Sequence, residues 1–292
     1  AEEPPGHCEC PDDCPIPDEC WPNVPHDSVF TLTRGKKKAI ELHKQGITIL
    51  KEVPGDFKLT DKQHIQRECA ISGKPHVHKE SIKHFLSMLE YPLFYLDFET
   101  INTDIPLFDK STPYQQITFQ YSLHVVEREG AEPKHYEFLA EGTEDPRPAF
   151  ANSLKEHIGD KGNIVVYNES FEKSCLKKLA EAFPEYEEWI EQALTRVVDL
   201  IIPFRSYLCY HPEQKGSASI KYVLPALTET SYEGMEIASG DVASLAYLNM
   251  YLEGLKPSEE KINKTRKALL EYCGLDTKAM IDVHKVLVKM VE

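Results

Sequence analysis

The chain has 292 residues, 41% hydrophobic and 28% charged, a balance typical of a globular protein with room for one large domain and a small one. No apolar run approaches the ~20 residues of a membrane-spanning helix, and the first residues do not form a charged-then-apolar leader, so we expect a cytoplasmic protein without a membrane partner. The net charge of −15 argues against a broad basic nucleic-acid-binding surface, but it does not exclude a nucleic-acid enzyme whose acidic site binds metal ions.

Residues 1–26 form a segment rich in Pro, Cys and Asp, with too few aliphatic residues to build a core alone. Cys8, Cys14 and Cys20 recur at a spacing of six. Three thiolates are one ligand short of a tetrahedral zinc site or a four-cysteine cluster, unless Cys10 or a residue further upstream completes the set. Because the chain begins with Ala inside this segment, we expect a fragment of a longer protein. The alternative is a tail whose thiols bind nothing.

Residues 27–88 have a helical pattern and are predicted to form a small helical region. Its helices are expected at Lys36–Gln45, Lys62–Gly73 and His78–Leu89. A Pro-Gly turn at residues 54 and 55 separates the first helix from the second.

The main domain is predicted at residues 89–292. An apolar strand in the stretch Tyr91–Thr100 opens it, and alternation of apolar and polar residues predicts two further strands that complete an antiparallel meander, at Tyr114–Glu127 and Lys134–Ala140. The later elements are strands and helices in alternation: Pro148–His157, Asn163–Tyr167, Ser170–Phe183, Arg196–Leu200 and a last helix Lys264–Val291 that is broken near Cys273-Gly274. This order predicts an α/β fold of the ribonuclease-H-like kind, a mixed sheet flanked by helices.

Two carboxylates end the first strand of this domain. Asp97 and Glu99 are two residues apart, so their side chains emerge on the same face of the strand. Like charges held together disfavour mutual ionisation, and a bound divalent cation removes that cost. Oxygen ligands of this kind suit Mg²⁺ or Mn²⁺. The alternative is a strand end that runs into solvent.

A further acidic position follows the strand Asn163–Tyr167. Asn168 suits the N-cap of the next helix, which leaves neighbouring amides available for an anion. Glu172 lies about one turn into that helix and can point back toward the strand ends. Plain capping is the alternative, with Glu172 favoured there by the helix dipole.

The last helix carries Tyr272 and Asp276, which are four residues apart and therefore lie on one face. Aspartate has a poor helix propensity, so its place in mid-helix needs a reason. That reason is either an ordinary surface carboxylate or a metal ligand.

These three stretches, in this order, resemble the motifs of the DEDD (DnaQ-like, ribonuclease-H-like) superfamily of 3′–5′ exonucleases. Its motifs are Asp-x-Glu on the first strand, Asn-x-x-x-Asp entering a helix and, in the tyrosine variant, Tyr-x-x-x-Asp on the last helix. Asp97 with Glu99 matches the first motif, and Tyr272 with Asp276 matches the third.

The second motif departs from the superfamily pattern. Asn168 matches it, but Glu172 stands where the superfamily usually has Asp. The longer side chain alters the expected position and preference of the metal, and it leaves open a crippled site.

The resemblance implies that Asp97, Glu99, Glu172 and Asp276 hold two Mg²⁺ or Mn²⁺ ions around a phosphodiester, while Tyr272 orients the attacking water. The implied activity is 3′–5′ exonuclease hydrolysis of single-stranded DNA or RNA. The alternative is a catalytically weak or inactive nucleic-acid-binding or assembly module, which the glutamate at position 172 and the acidic surface favour.

The candidate substrate contacts are Phe98, Thr100, Asn168 and Lys221. Phe98 could stack on a base, although a core position is the more ordinary place for it. Thr100 directly follows the first motif, and the Asn168 side chain could hold the terminal nucleotide. Lys221 could contact a phosphate, with a solvated helix face as the alternative.

Over roughly residues 8–290 the chain is also similar to a bacterial family with a domain of unknown function, often carried behind a RecB-like nuclease region. The similarity includes Tyr91–Thr100, Phe119–His124 and Ser219–Pro225. The run Cys14-Pro-Ile-Pro-Asp-Glu-Cys20 resembles the closing half of the iron–sulfur motif of RecB-like nucleases. These likenesses imply an upstream RecB-like region and a 4Fe–4S cluster in the longer protein.

Overall fold

The apolar runs of the main domain form β-strands where the sequence predicts them. A computed structural model describes residues 10–11, 14–251 and 257–292 of the chain. The strands of this part are β1 (His76–Val77), β2 (Leu93–Ile101), β3 (Ile117–Val126), β4 (Lys134–Leu139), β5 (Asn163–Val166), β6 (Val197–Asp199) and β7 (Cys209–Tyr210).

The helices of the structure include the predicted ones. The α-helices of the described residues are α1 (Pro17–Cys20), α2 (Lys36–Lys44), α3 (Asp61–Ser72), α4 (Lys79–Ser87), α5 (Pro146–His157), α6 (Glu169–Ala182), α7 (Glu187–Leu194), α8 (Ile202–Arg205), α9 (Ile220–Leu227), α10 (Gly240–Tyr251) and α11 (Glu259–Val291). Short 3₁₀ turns are Val29–Thr31, Leu50–Glu52, Pro184–Tyr186 and Pro212–Gln214. Within the described ranges, no helix has both the length and the apolar character needed to cross a bilayer.

The predicted break of the last helix near Cys273-Gly274 is wrong, because α11 is continuous through both residues. A glycine inside a helix costs about 1 kcal/mol relative to alanine, but it keeps its N–H and therefore its hydrogen bond. The buried residues around it, among them Leu269 and Met280, supply packing that outweighs this cost.

The described residues divide into two compact units. Unit 1 comprises the residues up to Lys83, together with Ile202–Glu229 and Met290–Glu292, and unit 2 comprises His84–Ile201 and Thr230–Lys289. These bounds differ from the predicted regions 27–88 and 89–292. The physical reason is the antiparallel pairing of β1 with β7, which joins a later part of the chain to unit 1. Strands of two residues leave no periodic signal in a sequence.

Unit 1 is built around a helical core. Residues from α2 and the turns on either side of it form this apolar cluster, among them Val29, Leu42, Leu50 and Val53. A capping box starts α3, since the Thr60 side chain accepts from the Gln63 N–H and the Gln63 side chain accepts from the Thr60 N–H.

Unit 2 contains a five-stranded mixed sheet with the strand order β4-β3-β2-β5-β6. β2, β3 and β4 pair antiparallel as the predicted meander, whereas β5 is parallel to both β2 and β6. Helices flank this sheet, so the predicted mixed α/β fold is confirmed.

β2 is the central strand and is buried on both faces. On one face Phe94 and Leu96 join a core with residues of β3, β5, α5, α6 and α7. On the other face Tyr95 Oη lies 2.5 Å from His284 Nδ1 of α11. Since side chains alternate along a strand, Asp97 is on the α11 side with Tyr95.

We expect Gly162→Ala to destabilise unit 2 more than Gly130→Ala does. Both glycines have a positive φ, 78° and 73°, so both substitutions carry the backbone cost of ~1–2 kcal/mol. At Gly162 a methyl group would also overlap the Pro92 carbonyl, whereas at Gly130 nothing lies within 4 Å. Denaturant unfolding of the two variants measures the difference, and equal losses of stability would contradict the close approach to Pro92.

Candidate functional site

The prediction that Asp97 and Glu99 end the strand is wrong, because β2 pairs with β3 through both residues and continues to Ile101. Their side chains emerge on the α11 side of the sheet. Asp97 keeps partial solvent exposure, whereas Glu99 is buried. Gly240, at the start of α10, lies so close that a Cβ on it would be 3.5 Å from Glu99 Oε2. The start of α10 therefore packs closely against the Glu99 carboxylate.

Glu172 contributes a third carboxylate from the first turn of α6. Its side chain is only 3% exposed, and its Oε2 atom has no hydrogen-bond partner within the described residues. Burial raises the pKa of Glu172 to about 8, and the charges of Asp199 and Glu169 add to this rise. A buried carboxylate oxygen without a donor is a position where a cation would replace a missing partner.

Asp276 and Tyr272 lie one turn apart on α11, and both are buried. Tyr232 Oη donates a hydrogen bond to Asp276 Oδ1 at 2.5 Å, and its ring lies edge-on to Tyr272 with centroids 6.3 Å apart. Burial and the negative charges of Asp276, Glu99 and Asp97 raise the pKa of the Tyr272 phenol above its usual range. Tyr272 is therefore protonated near neutral pH and acts as a hydrogen-bond donor.

The four carboxylates form one electrostatic group. Burial raises the pKa of Asp97 well above its usual range, and the charges of Asp276, Glu99 and Glu172 raise it further. The groups that shift this pKa within the described chain are these carboxylates and a thiol, with no Lys or Arg among them. Carboxylates of all three sequence motifs thus influence Asp97, and of these Asp97 and Glu99 belong to the group whose ligand atoms lie within 4.8 Å of one another, whereas Glu172 and Asp276 do not.

Cys273 is a member of this group that the sequence analysis missed. Ligand atoms of Asp97, Glu99 and Cys273 all lie within 4.8 Å of one another. Cys273 Sγ is 3.8 Å from Asp97 Oδ2 and 3.8 Å from the Asp97 carbonyl oxygen. The sequence did contain a signal for Cys273. It precedes Asp276 by three residues on a helix, and residues at that spacing share a helix face.

Tyr232 is the other missed residue. It lies between α9 and α10, outside any regular element, and reaches Asp276 across 44 positions of sequence. No spacing rule connects two residues in this way, so the contact had no signal in the sequence.

Asn168 occupies the predicted N-cap position of α6, but its side chain makes no capping bond to the helix. Its φ of 94° is positive, which Asn tolerates better than most residues. Its N–H donates to Asp199 Oδ1 at 2.9 Å, and its Oδ1 accepts from Ser170 Oγ at 3.2 Å. Asp199, whose carboxylate also accepts from the Ile201 N–H, fixes this turn.

The other predicted substrate contacts are not members of the carboxylate group. Phe98 is a core residue, packed edge-to-face on Phe150 with centroids 5.2 Å apart, so its ring is not available to a base. Thr100 is buried, and its Oγ1 donates to Gln116 Oε1 at 2.5 Å. Lys221 lies on α9 in unit 1, whereas the carboxylates lie in unit 2.

The predicted cysteine cluster falls partly outside the described residues, because Cys8 lies there. Cys14 is buried and Cys20, which ends α1, is partly exposed. Within the described residues, the thiol and carboxylate group around Asp97 is the one that could hold a metal with three or more ligands, and neither cysteine belongs to it. An iron–sulfur cluster therefore stays a prediction for the longer protein.

The chain is similar in sequence to a domain and to proteins without an assigned function. A family model described as a domain of unknown function (DUF2779) matches residues 94–219, from β2 to the segment before α9. This range contains Asp97, Glu99 and Glu172 and ends before Tyr272 and Asp276. The similarity to a domain of unknown function is thus confirmed, whereas the exonuclease assignment stays a prediction.

Three curated relatives are similar to the chain. They are an uncharacterized protein (MG366 homolog) of Mycoplasma pneumoniae, 30% identical over 209 residues, MG366 of Mycoplasma genitalium, 29% over 208 residues, and UU173 of Ureaplasma parvum, 28% over 222 residues. The aligned regions cover 65%, 65% and 68% of this chain and 31% of each relative. The chain therefore spans about a third of the length of these relatives. No solved structure matches it.

We expect Glu172→Gln to stabilise the metal-free protein at alkaline pH. The folded-state pKa of about 8 lies above the unfolded value of about 4.3, so the folded state binds the proton more tightly. Stability contributed by this proton is present below about pH 4.3 and is lost as pH rises toward the folded pKa. The amide removes the penalty, so the variant should exceed the wild type by up to a few kcal/mol near pH 9 and converge with it in acid.

Denaturant unfolding in a chelating buffer across this pH range tests that expectation. Glu181→Gln is the matched control, since Glu181 is an exposed residue of the same helix that pairs with Lys178. Parallel pH profiles for wild type and Glu172→Gln would show that Glu172 ionises normally.

Proposed function

We propose that unit 2 is a metal-dependent 3′–5′ exonuclease that hydrolyses phosphodiester bonds of single-stranded nucleic acid. One observation carries the proposal: carboxylates from three separate segments, β2, α6 and α11, lie near enough to Asp97 to raise its pKa, and ligand atoms of Asp97 and Glu99 lie within 4.8 Å of each other. Holding like charges together destabilises a fold unless protons or cations neutralise them. The direction of attack follows from the likeness to the tyrosine variant of the DEDD superfamily.

The residues present fit divalent cations. Asp97, Glu99, Glu172 and Asp276 offer only oxygen atoms, which suit Mg²⁺ and Mn²⁺. The partnerless Oε2 of Glu172 leaves a coordination position open, and the partial exposure of Asp97 gives ions access from solvent. When bound, such ions would lower the pKa of a water molecule and stabilise the leaving 3′ oxygen.

Tyr272 would orient the water and would not act as a base. Burial and the surrounding carboxylates raise the pKa of its phenol, which keeps the hydroxyl protonated. A protonated hydroxyl can donate to a water or to a phosphate oxygen. Tyr232 would position Asp276 through the hydrogen bond to Oδ1.

A second candidate function is a nucleic-acid-binding or assembly module without turnover. Two observations favour it. Glu172 is longer than the aspartate of the superfamily motif, and one oxygen of Asp276 accepts a short hydrogen bond from Tyr232. Both features would weaken the binding of a metal pair. This candidate predicts that oligonucleotides bind and remain intact with any divalent ion.

We expect Asp97→Asn to abolish Mn²⁺- or Mg²⁺-dependent degradation of a single-stranded oligonucleotide. The amide removes a negative charge at the centre of the group, so the rate should fall on the order of a hundredfold or more. The measurement uses the whole chain and a 5′-labelled DNA or RNA oligonucleotide, on which attack from the 3′ end produces a ladder of shortened products. Asp160→Asn, at an exposed position of unit 2, is the control and should keep wild-type activity.

Two results would contradict the exonuclease proposal. Degradation by Asp97→Asn at the wild-type rate would assign the activity to another site or a contaminant. Binding of the oligonucleotide by wild-type protein without any shortening in Mg²⁺ or Mn²⁺ would favour the second candidate.

A further inference from the structure

We propose that Cys273 is a metal ligand of the acidic group, so that the position shared with Asp97 and Glu99 binds a thiophilic divalent cation of the Zn²⁺ class. The inference rests on the proposed function in one respect, since both require the carboxylate group to bind divalent ions. It goes beyond that function because a sulfur ligand changes which ion is preferred.

The distances fit a shared ion. Metal–sulfur and metal–oxygen bonds of about 2.3 and 2.1 Å at a tetrahedral ion place sulfur and oxygen ligands about 3.6 Å apart. Cys273 Sγ lies 3.8 Å from Asp97 Oδ2, and the ligand atoms of Asp97, Glu99 and Cys273 all lie within 4.8 Å of one another. The three side chains therefore need little movement to reach one ion.

An ordinary core cysteine is the alternative, and Cys175 shows what one looks like in the same unit. Cys175 is buried on α6 and belongs to the apolar cluster of the sheet. Cys273 is also buried, but its thiol donates weak hydrogen bonds to two oxygens of Asp97, the backbone carbonyl and Oδ2. A thiol needs no such neighbours to fill space, and apolar packing would serve that purpose at lower cost.

A second observation in the group points independently to a cation. Glu172 is 3% exposed, its Oε2 has no hydrogen-bond partner in the described part of the chain, and its charge acts on Asp97. This oxygen without a partner is separate from any feature of the thiol, and a cation is one group that would satisfy it.

The chemistry of the step is a ligand exchange. The S–H bond of Cys273 is replaced by a metal–sulfur bond, and the proton passes to the solvent. No electrons are transferred. Thiolates favour Zn²⁺, Co²⁺ and Cd²⁺, whereas Mg²⁺ takes oxygen ligands, so Cys273 would add a preference that the four carboxylates alone do not have.

Co²⁺ absorption spectroscopy on the whole chain tests the proposal, because a cobalt–thiolate bond gives a charge-transfer band in the near ultraviolet. The background variant combines Cys8→Ser, Cys10→Ser, Cys14→Ser and Cys20→Ser, since these cysteines could bind Co²⁺ themselves. We expect the band in this background, its loss on adding Cys273→Ser and its retention on adding Cys175→Ser. Asp97→Asn should also lose the band although Cys273 is intact.

Affinities supply a second measurement. Cys273→Ser should weaken Cd²⁺ binding by roughly tenfold or more, whereas Mn²⁺ binding, followed by loss of the free-ion paramagnetic resonance signal, should change little. Retained Mn²⁺ binding also shows that the Cys273→Ser variant is folded. If Cys273→Ser does not fold, Cys273→Ala is measured in its place.

The outcomes separate the two proposals. Mn²⁺ binding that Asp97→Asn abolishes, together with a Co²⁺ spectrum unaffected by Cys273→Ser, would overturn the sulfur ligand and leave the exonuclease proposal standing. Absence of Mn²⁺ and Co²⁺ binding to the carboxylate group would overturn both. A cobalt–sulfur band without nuclease activity would support the sulfur ligand and count against the exonuclease.

Discussion

The crowding of negative charge on the α11 side of β2 is the constraint on which the candidate site depends. Asp97 shares its surroundings with three other carboxylates, and burial together with their charges raises its pKa. Such a group destabilises the fold unless protons or cations neutralise it. The opposite face of β2 lies in the main core of the sheet, where its packing stabilises the same strand. The unfavourable repulsion between charges is therefore confined to one face of a well-packed strand.

The elements that carry these carboxylates are held in place by contacts that do not involve the charges. β2 pairs with β3 and β5, and α6 packs into the apolar cluster through Leu176 and Leu179. α11 is tied to the sheet by Tyr95 with His284 and by a hydrogen bond from Gln120 to the Leu269 carbonyl. The positions of these carboxylates are thus set by packing and not by their charges, as the proposed metal site would require.

Much of the sheet follows from local patterns. The alternation at Ile117–Val126 and the apolar runs at β2 and β5 predicted the strands, because a period of two reports which side chains are buried. The pairing of β1 with β7 and the assignment of residues 202–229 to unit 1 were not predictable in this way. They depend on contacts between distant segments, and strands of two residues carry no periodicity.

At the site, two relations could be read from the sequence: Asp97 and Glu99 share a strand face, and Tyr272 and Asp276 share a helix face. Those relations follow from backbone geometry alone. Three relations required the folded structure. α11 lies against β2, Tyr232 donates a hydrogen bond to Asp276, and the Cys273 thiol contacts Asp97, which is 176 positions earlier in the sequence. No local rule contains these contacts, because they result from how whole elements pack.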